Sequence, residues 1–257
     1  MPSLSILQYR FRNSEALSQA LNARRQTTIR QLSLKAFQCD LLVIESQLIS
    51  FSFTQISSPL HVVGAKSKGY LEFSFILQPG QQDFFAHELA IPKTTLFGFD
   101  PTREVNLIVP ANSMICVAQI QQNAFDHCAA LMQRDDLNAR FLSTNFVTVP
   151  DMLNGVQAYL KKLYEIALHH PEYLSADRSL HTLAEFIPLL IDAIPHPLIP
   201  SDLSMRSPRR FDLVKQAEEY MRSHLEEPIT LMSLCKALHI SERPLNYGFQ
   251  EVFGGSP

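Results

Sequence analysis

His61, His87 and Glu88 are the residues of the first half of the chain whose types would suit a metal centre, and their spacing argues against one. A metal site built from such residues needs several neutral imidazoles and a carboxylate converging on one ion. His61 and His87 stand apart, and Glu88 falls on the face opposite His87 if that segment is a strand. Glu165 and His169 are spaced i,i+4 on a segment with helical periodicity, which reads as an ordinary solvated pair. Cys39, Cys116, Cys128 and Cys235 show no CxxC spacing and sit in apolar stretches, so buried free thiols are expected rather than disulfides or zinc ligands. There is no glycine-rich phosphate loop, nucleophile elbow or paired-acid motif. The expectation is a protein that is not an enzyme, with no catalytic residue, metal or cofactor.

The most regular pattern lies in the last fifty residues. Phe211, Val214, Ala217, Met221 and Leu225 recur at three- and four-residue intervals and define one face of a lead helix, whose other face carries Lys215, Glu218, Glu219 and Arg222. Pro228 breaks the chain and Thr230 is placed as an N-cap. A second, short helix over about 231–239 buries Leu231, Leu234, Cys235 and Leu238, with Ile240 packed inward in the turn. Ser241 caps a third helix over 242–253, with Leu245, Phe249 and Val252 or Phe253 toward the core, and Gly254-Gly255 closes it. Two short helices joined by so brief a turn cross steeply, and the outer face of the second projects in a form that fits a DNA major groove.

The run Pro228-Ile229-Thr230-Leu231, then Leu234-Cys235, Leu238, Ile240-Ser241, Arg243, Leu245, Phe249, Phe253-Gly254 and Ser256-Pro257 resembles the first helix-turn-helix of the AraC/XylS family of transcription regulators. That resemblance implies that Arg243, Asn246, Tyr247 and, one turn further on, Gln250 meet base edges; Arg pairs well with guanine and Asn with adenine. Pro244 departs from the pattern at a first-turn position where its missing N–H costs little. Members of the family carry two helix-turn-helix units bridged by a long helix, and the sequence ends at Ser256-Pro257 where that helix would begin. A fragment or natural truncation holding only the first unit is therefore expected. From Pro208 onward six Lys/Arg face seven Asp/Glu, and the whole chain has a formal net charge of −3. With no basic stripe to neutralise phosphates, this piece alone should hold DNA weakly.

The elements that would carry this tail form a longer, mixed segment. Ser14 to Ala23 has helical spacing, and residues from about 28 to 120 then contain short β-favouring runs: Leu41 to Ile44, the alternation Ile49-Phe51-Phe53, Leu60 to Val63, Tyr70 to Leu77, Leu96 to Phe99, Val105 to Val109 and Met114 to Ile120. Ser57-Ser58-Pro59, Pro79-Gly80 and Pro110-Ala111-Asn112 separate them as turn signals. Many short strands so spaced predict a barrel or sandwich. Helical patterns return at 122–134, 151–169 and 177–194, the last kinked at Pro188, and a Pro/Ser-rich connector follows. A β-barrel followed by helices resembles the sensor half of AraC-type regulators, which is cupin-like, binds a small effector and often dimerises through its helices. If such a barrel forms, Phe51, Phe53, Phe73, Phe75 and Phe99 are the inward residues expected to line it, or simply to fill its core.

The expected fold class is α+β: a cupin-like N-terminal β-barrel with following helices, joined to an all-α helix-turn-helix unit. Residues 1–194 form a sensor and oligomerisation domain, β-rich over 28–120 and helical over 121–194; 195–208 form a linker, and 209–257 the DNA-reading unit. The expected partners are promoter or operator DNA, a small-molecule effector of unfixed identity and a second copy of the chain, with no membrane. No stretch reaches about eighteen uninterrupted apolar residues and no signal sequence opens the chain, so a cytoplasmic setting is expected. The rival reading is a truncated ligand-binding or dimerisation protein with no DNA binding of its own.

Overall fold

The computed structural model describes residues 4–22, 26–149, 153–174, 183–196, 229–238 and, between 214 and 249, the further positions 214, 216, 217, 219–221, 223, 224, 240, 242, 245, 246 and 249. The chain divides into two compact units, Met1–Pro197 and Leu198–Pro257.

The larger unit is built on two antiparallel sheets. One has seven strands in the order β1 (Ser5–Phe11), β3 (Cys39–Glu45), β4 (Ile49–Ile56), β11 (Ser113–Gln121), β6 (Tyr70–Gln78), β9 (Thr95–Phe97) and β12 (Phe146–Thr148). The other has five: β2 (Thr27–Gln31), β5 (Leu60–Gly64), β10 (Val105–Val109), β7 (Phe84–Ala86) and β8 (Leu89–Ile91). Among the described residues no strand is shared and neither sheet closes on itself, so the unit is an open two-sheet sandwich in place of the expected barrel. The turn signals explain this. The β4–β5 turn at Ser57-Ser58-Pro59, the β6–β7 connection through Pro79-Gly80 and the β10–β11 turn at Pro110-Ala111-Asn112 each carry the chain from one sheet to the other. Proline lacks the N–H that a ladder bond needs, and Asn112 takes a positive φ of 55°.

Strand pleat then divides the buried side chains of the seven-stranded sheet between two cores. Leu42, Ile44, Phe51, Phe53, Phe73, Phe75, Cys116 and Ala118 point to a helical layer, where they pack with α2 (Gln122–Leu131), α4 (Leu153–His169) and the last helix of this unit, α5 (Phe186–Ala193). Leu41, Val43, Ile56, Ile76 and Ile115, on the opposite parity, pack with Ile29, Leu60, Phe84, Leu107 and Val109 of the other sheet and with Leu17 of α1 (Ser14–Asn22). Because both faces are covered, Leu71 through Leu77 in β6 are buried without interruption.

Three sequence expectations are corrected here. The helix expected to reach Arg134 stops at Leu131: Gln133 turns left-handed (φ 57°), its N–H donates to Ala130 O (3.1 Å), and Arg134 N–H donates to Ala129 O (2.9 Å), a Schellman ending. Pro188 does not kink a long helix. The helix is interrupted at Glu185 and Pro188 stands third in α5, clear of the steric conflict it would create with a continuous helix. His87 and Glu88 are not strand residues on opposite faces; both have positive φ (48° and 67°) and form the two-residue turn joining β7 to β8. Strands β1 and β2 and the three-residue β7, β8 and β12 are additional to the runs legible from the sequence, and β1 and β12 lie outside the 28–120 segment. The expected helix over 151–169 is found as α4, residues 151 and 152 lying outside the described residues, as do 177–182 of the next expected helix and 197–208 of the expected linker.

In the smaller unit, all described residues at 214–223 are helical, as are 242, 245, 246 and 249. Between them α6 (Leu231–Ala237) opens on a capping box: Thr230 Oγ1 accepts from Ser233 N–H (3.1 Å) and Thr230 N–H donates to Ser233 Oγ (2.9 Å). Val214, Ala217, Leu234, Cys235, Leu245 and Phe249 form one buried cluster, with Met221, Leu231, Leu238 and Ile240 half-buried against it. Ile240 N–H donates to Cys235 O (3.0 Å), tightening the chain after α6.

Candidate functional site

The phenylalanines expected to line a ligand cavity do not. Phe51 meets Phe186 of α5 edge to face (4.9 Å), Phe53 meets Tyr164 of α4 (5.4 Å), Phe73 stacks on Phe99 (5.6 Å), and Phe99 stacks on Phe141 of the one-turn α3 (Ala139–Leu142) at 5.0 Å. They fill the core between sheet and helices, worth about 0.5–1.5 kcal/mol per ring pair beyond burial. The cavity lies on the other face of the same strands.

Between the two sheets is a space of about 90 Å³. Ile56, Leu60, Val109, Ile115 and, from α1, Leu17 and Leu21 give it apolar walls; Lys66, Glu72, Ser74, His87, Asn106 and Asn145 bring polar groups to it. The pleat of β6 decides this: Glu72 and Ser74 alternate with Phe73 and Phe75, so when the phenylalanines face the helices the carboxylate and hydroxyl face the sandwich. Glu72 is 3% exposed. Its Oε1 accepts from Gln119 Nε2 (3.0 Å) and from Ser67 N–H (3.4 Å), while Gln119 Oε1 accepts from Ser50 Oγ (3.2 Å). A charged group this deep is costly unless hydrogen-bonded.

Backbone geometry shapes the polar end. Asn145, 1% exposed at φ 61°, accepts on its carbonyl from Gly98 N–H (3.0 Å) and on Oδ1 from Asp100 N–H (2.9 Å). Gly98 sits at φ +85°, and a Cβ there would lie 3.1 Å from Ser74 Oγ, so glycine answers both a left-handed backbone and a close approach to the cavity wall. Lys66 Nζ donates to Asp100 O (2.5 Å); the Asp100 carboxylate is held by Thr102 N–H and Oγ1 and approached by Arg103 (3.8 Å). His87 N–H donates to Asn106 O, and Asn106 Oδ1 meets His61 Nε2 at 2.8 Å. A charged residue alternating with phenylalanines was visible in the strand 70–77, but alternation ordinarily means a solvent face; only a second sheet turns it inward.

Other sequence candidates resolve as follows. Glu165 and His169 form a solvated pair at 3.4 Å with both side chains about 60% exposed. The four cysteines are free; Cys39, Cys116 and Cys235 are buried and Cys128 half-buried. Burial pushes the Cys39 thiol up to about 12 and holds Cys116 well above its ordinary value. Among the described residues no group of three or more His, Cys, Asp or Glu could hold a metal ion, and no helix is long and apolar enough to cross a membrane. Of the four residues expected to read bases, Asn246 is helical and half-buried beside the fully buried Leu245; Arg243, Tyr247 and Gln250 lie outside the described residues, as do Phe211, Leu225, Ser241, Val252 and Phe253.

One further residue was not legible. Arg134, 3% exposed, donates from Nη1 to Ile191 O (2.8 Å) and Ile194 O (2.9 Å) and from Nη2 to Pro195 O (3.4 Å), while Nε and Nη2 grip Asp136 (2.8 Å each). It adds donors to the carbonyls where α5 ends, of which Ile191 O also accepts from Ile194 N–H (3.2 Å).

The architecture is thus an α+β one: two antiparallel sheets with a cavity between them, a helical layer behind, and a separate helical unit. No protein-family model matches the sequence. Among solved structures the fold is similar to the crystal structure of the AraC-like transcriptional activator CuxR, with a TM-score of 0.50 over 95% of this chain and 89% of that one, at 9% identity.

Proposed function

We propose that this chain is a transcription regulator of AraC type, reading DNA with its C-terminal unit and controlled by a small effector bound in its N-terminal unit. The observation that carries the reading is the C-terminal core. Residues from three successive helical stretches, Val214 and Ala217, Leu234 and Cys235, Leu245 and Phe249, enclose one cluster, with the middle helix capped at Thr230. Such a core is what a helix-turn-helix requires, and by the family resemblance Arg243, Asn246, Tyr247 and Gln250 are proposed as the base-reading set. The fold likeness to an AraC-like activator supports the same reading.

The near-balance of six cationic against seven anionic side chains from Pro208 onward favours a second reading, a ligand-binding or dimerising protein without DNA binding of its own. Selection from a randomised duplex library with the full chain at about physiological salt separates the two. A regulator enriches a defined motif, and Asn246→Ala costs about 1–3 kcal/mol and relaxes discrimination at one or two base pairs. Failure to enrich any sequence, with the chain folded and dimeric, would leave the second reading standing. Two tails of a dimer spaced about 34 Å apart would select a motif with half-sites one helical turn apart.

A further inference from the structure

We infer that the inter-sheet cavity binds a short-chain, uncharged carbonyl compound, its hydrocarbon part against the apolar walls and its oxygen toward Ser74, Asn106 and Asn145. The inference rests on the reading of the N-terminal unit as the effector-binding part and names the chemical class that unit would sense. Size comes first. A cavity of about 150 Å³ holds benzene, so 90 Å³ accommodates about four or five non-hydrogen atoms.

Hydrogen-bonding capacity sets the class. The ionisable groups at the wall are engaged within the protein: Lys66 and Glu72 line the same cavity and offset each other, Lys66 donates to the Asp100 carbonyl, and Glu72 accepts from Gln119 and Ser67. Lys66, Glu72 and His87 each hold further partners, and Glu104 is exposed. An entering ion of either sign would give up its hydration with no unengaged counter-charge to receive it. The neutral groups differ. Ser74 is 7% exposed and Asn145 1%, yet among the described residues neither Ser74 Oγ nor Asn145 Nδ2 makes a hydrogen bond. Gly98 brings the two together, since its N–H donates to Asn145 O and a Cβ on it would lie 3.1 Å from Ser74 Oγ. Asn145 Oδ1 is occupied by Asp100 N–H and Asn106 Oδ1 by His61 Nε2, so each carboxamide keeps its donor end for the cavity. Donors therefore predominate at this end, with the Ser74 hydroxyl able to act as one more. Buried donors are costly when unpaired, and an accepting oxygen with no charge and no proton of its own satisfies them. Ile56, Leu60, Val109 and Ile115 offer apolar contact elsewhere in the cavity, which suits a short hydrocarbon chain.

The test follows amide chemical shifts at Ser74, Gly98 and Asn145 in the full chain, near neutral pH and at constant ionic strength. Its near-isosteric probes are butanone, 2-chlorobutane, propionate and sec-butylammonium. A ligand of about five non-hydrogen atoms binds at best in the micromolar range, so titrations extend to roughly 50 mM or to saturation. Butanone should bind about tenfold or more tightly than either ion, and its carbonyl carbon should move downfield on binding, as a hydrogen bond to the oxygen requires. Ser74→Ala should weaken butanone about two- to tenfold and leave 2-chlorobutane, which has the shape without a comparable acceptor, no weaker than before. Val117→Phe, which fills the cavity, should abolish binding of both neutral probes. Butanone's carbon shift and its comparison with the two ions, both on the unaltered chain, decide the matter even if a variant fails to fold. An ion that binds as tightly as butanone, a carbonyl carbon that does not move, Ser74→Ala weakening both neutral probes alike or neither, or no response to any probe overturns the assignment. No DNA enters the measurement, so its failure leaves the DNA reading to be judged by selection alone.

Discussion

Replacing Arg134 with methionine is expected to destabilise the larger unit by about 3–5 kcal/mol. The estimate follows from what the guanidinium touches. Arg134 is 3% exposed and makes two short bonds to the Ile191 and Ile194 carbonyls, a longer one to Pro195 and a bidentate pair to Asp136. Methionine fills much of the same volume but takes the charged donor from the Ile194 carbonyl, at about 1–3 kcal/mol, removes one of the two partners of Ile191 O, which keeps Ile194 N–H, and leaves the Asp136 carboxylate, with its side chain 21% exposed, without its counter-charge. Exposure decides the contrast with Arg10, whose ion pair with Asp40 joins side chains 67% and 32% exposed. Arg10→Met should cost no more than about 1 kcal/mol. Urea unfolding followed by far-ultraviolet circular dichroism measures both, since the chain has no tryptophan to report. In thermal scans the Arg134 variant should lose about 6–20 °C. A pH series adds a second readout. The hydrogen bond from Arg134, acting with its charge, holds the Asp136 carboxyl below its usual range against the opposing effect of burial. A depressed folded-state pKa gives stability that is present above the unfolded value near 4 and is lost as pH falls through the folded value. That loss should shrink in Arg134→Met. A variant within about 1 kcal/mol of the parent, or an unchanged acid limb, would refute the reasoning.

Three other outcomes follow from the same packing. Phe186→Ala, which empties the pocket where Phe186 meets Phe51, Phe75 and Tyr159, should cost about 3–5 kcal/mol in urea unfolding, and a smaller loss would mean that the helical layer is not pinned to the sheet by this ring. Thr230→Ala removes the side-chain half of the α6 capping box and should cost about 0.5–2 kcal/mol, read as faster amide exchange at Ser233, with the larger unit's melting unchanged. Iodoacetamide at mildly alkaline pH should spare Cys39 and Cys116 in the native protein and modify them in urea, because burial holds both thiols protonated; native labelling at either would contradict their placement.

What the sequence determined by itself was local. Strand runs bounded by Pro, Gly and Asn, the Thr230 cap, the solvated Glu165–His169 pair and the apolar faces at 214–221, 234–235 and 245–249 each follow from a few consecutive residues and a fixed period, so each was legible without a fold. Strand β1 was not, because its half-buried and exposed positions give no clean alternation and it is held by pairing with β3, some thirty residues later. Tertiary structure alone decided which way the pleat faced. Period-two alternation divides Glu72 and Ser74 from Phe73 and Phe75 but does not say what covers either face. With helices on one side and a second sheet on the other, the phenylalanines became core and the carboxylate came to line a cavity. Arg134 shows the same limit in a loop: nothing near it in sequence specifies its partners, because the carbonyls it satisfies lie about sixty residues away and exist as acceptors only where α5 ends.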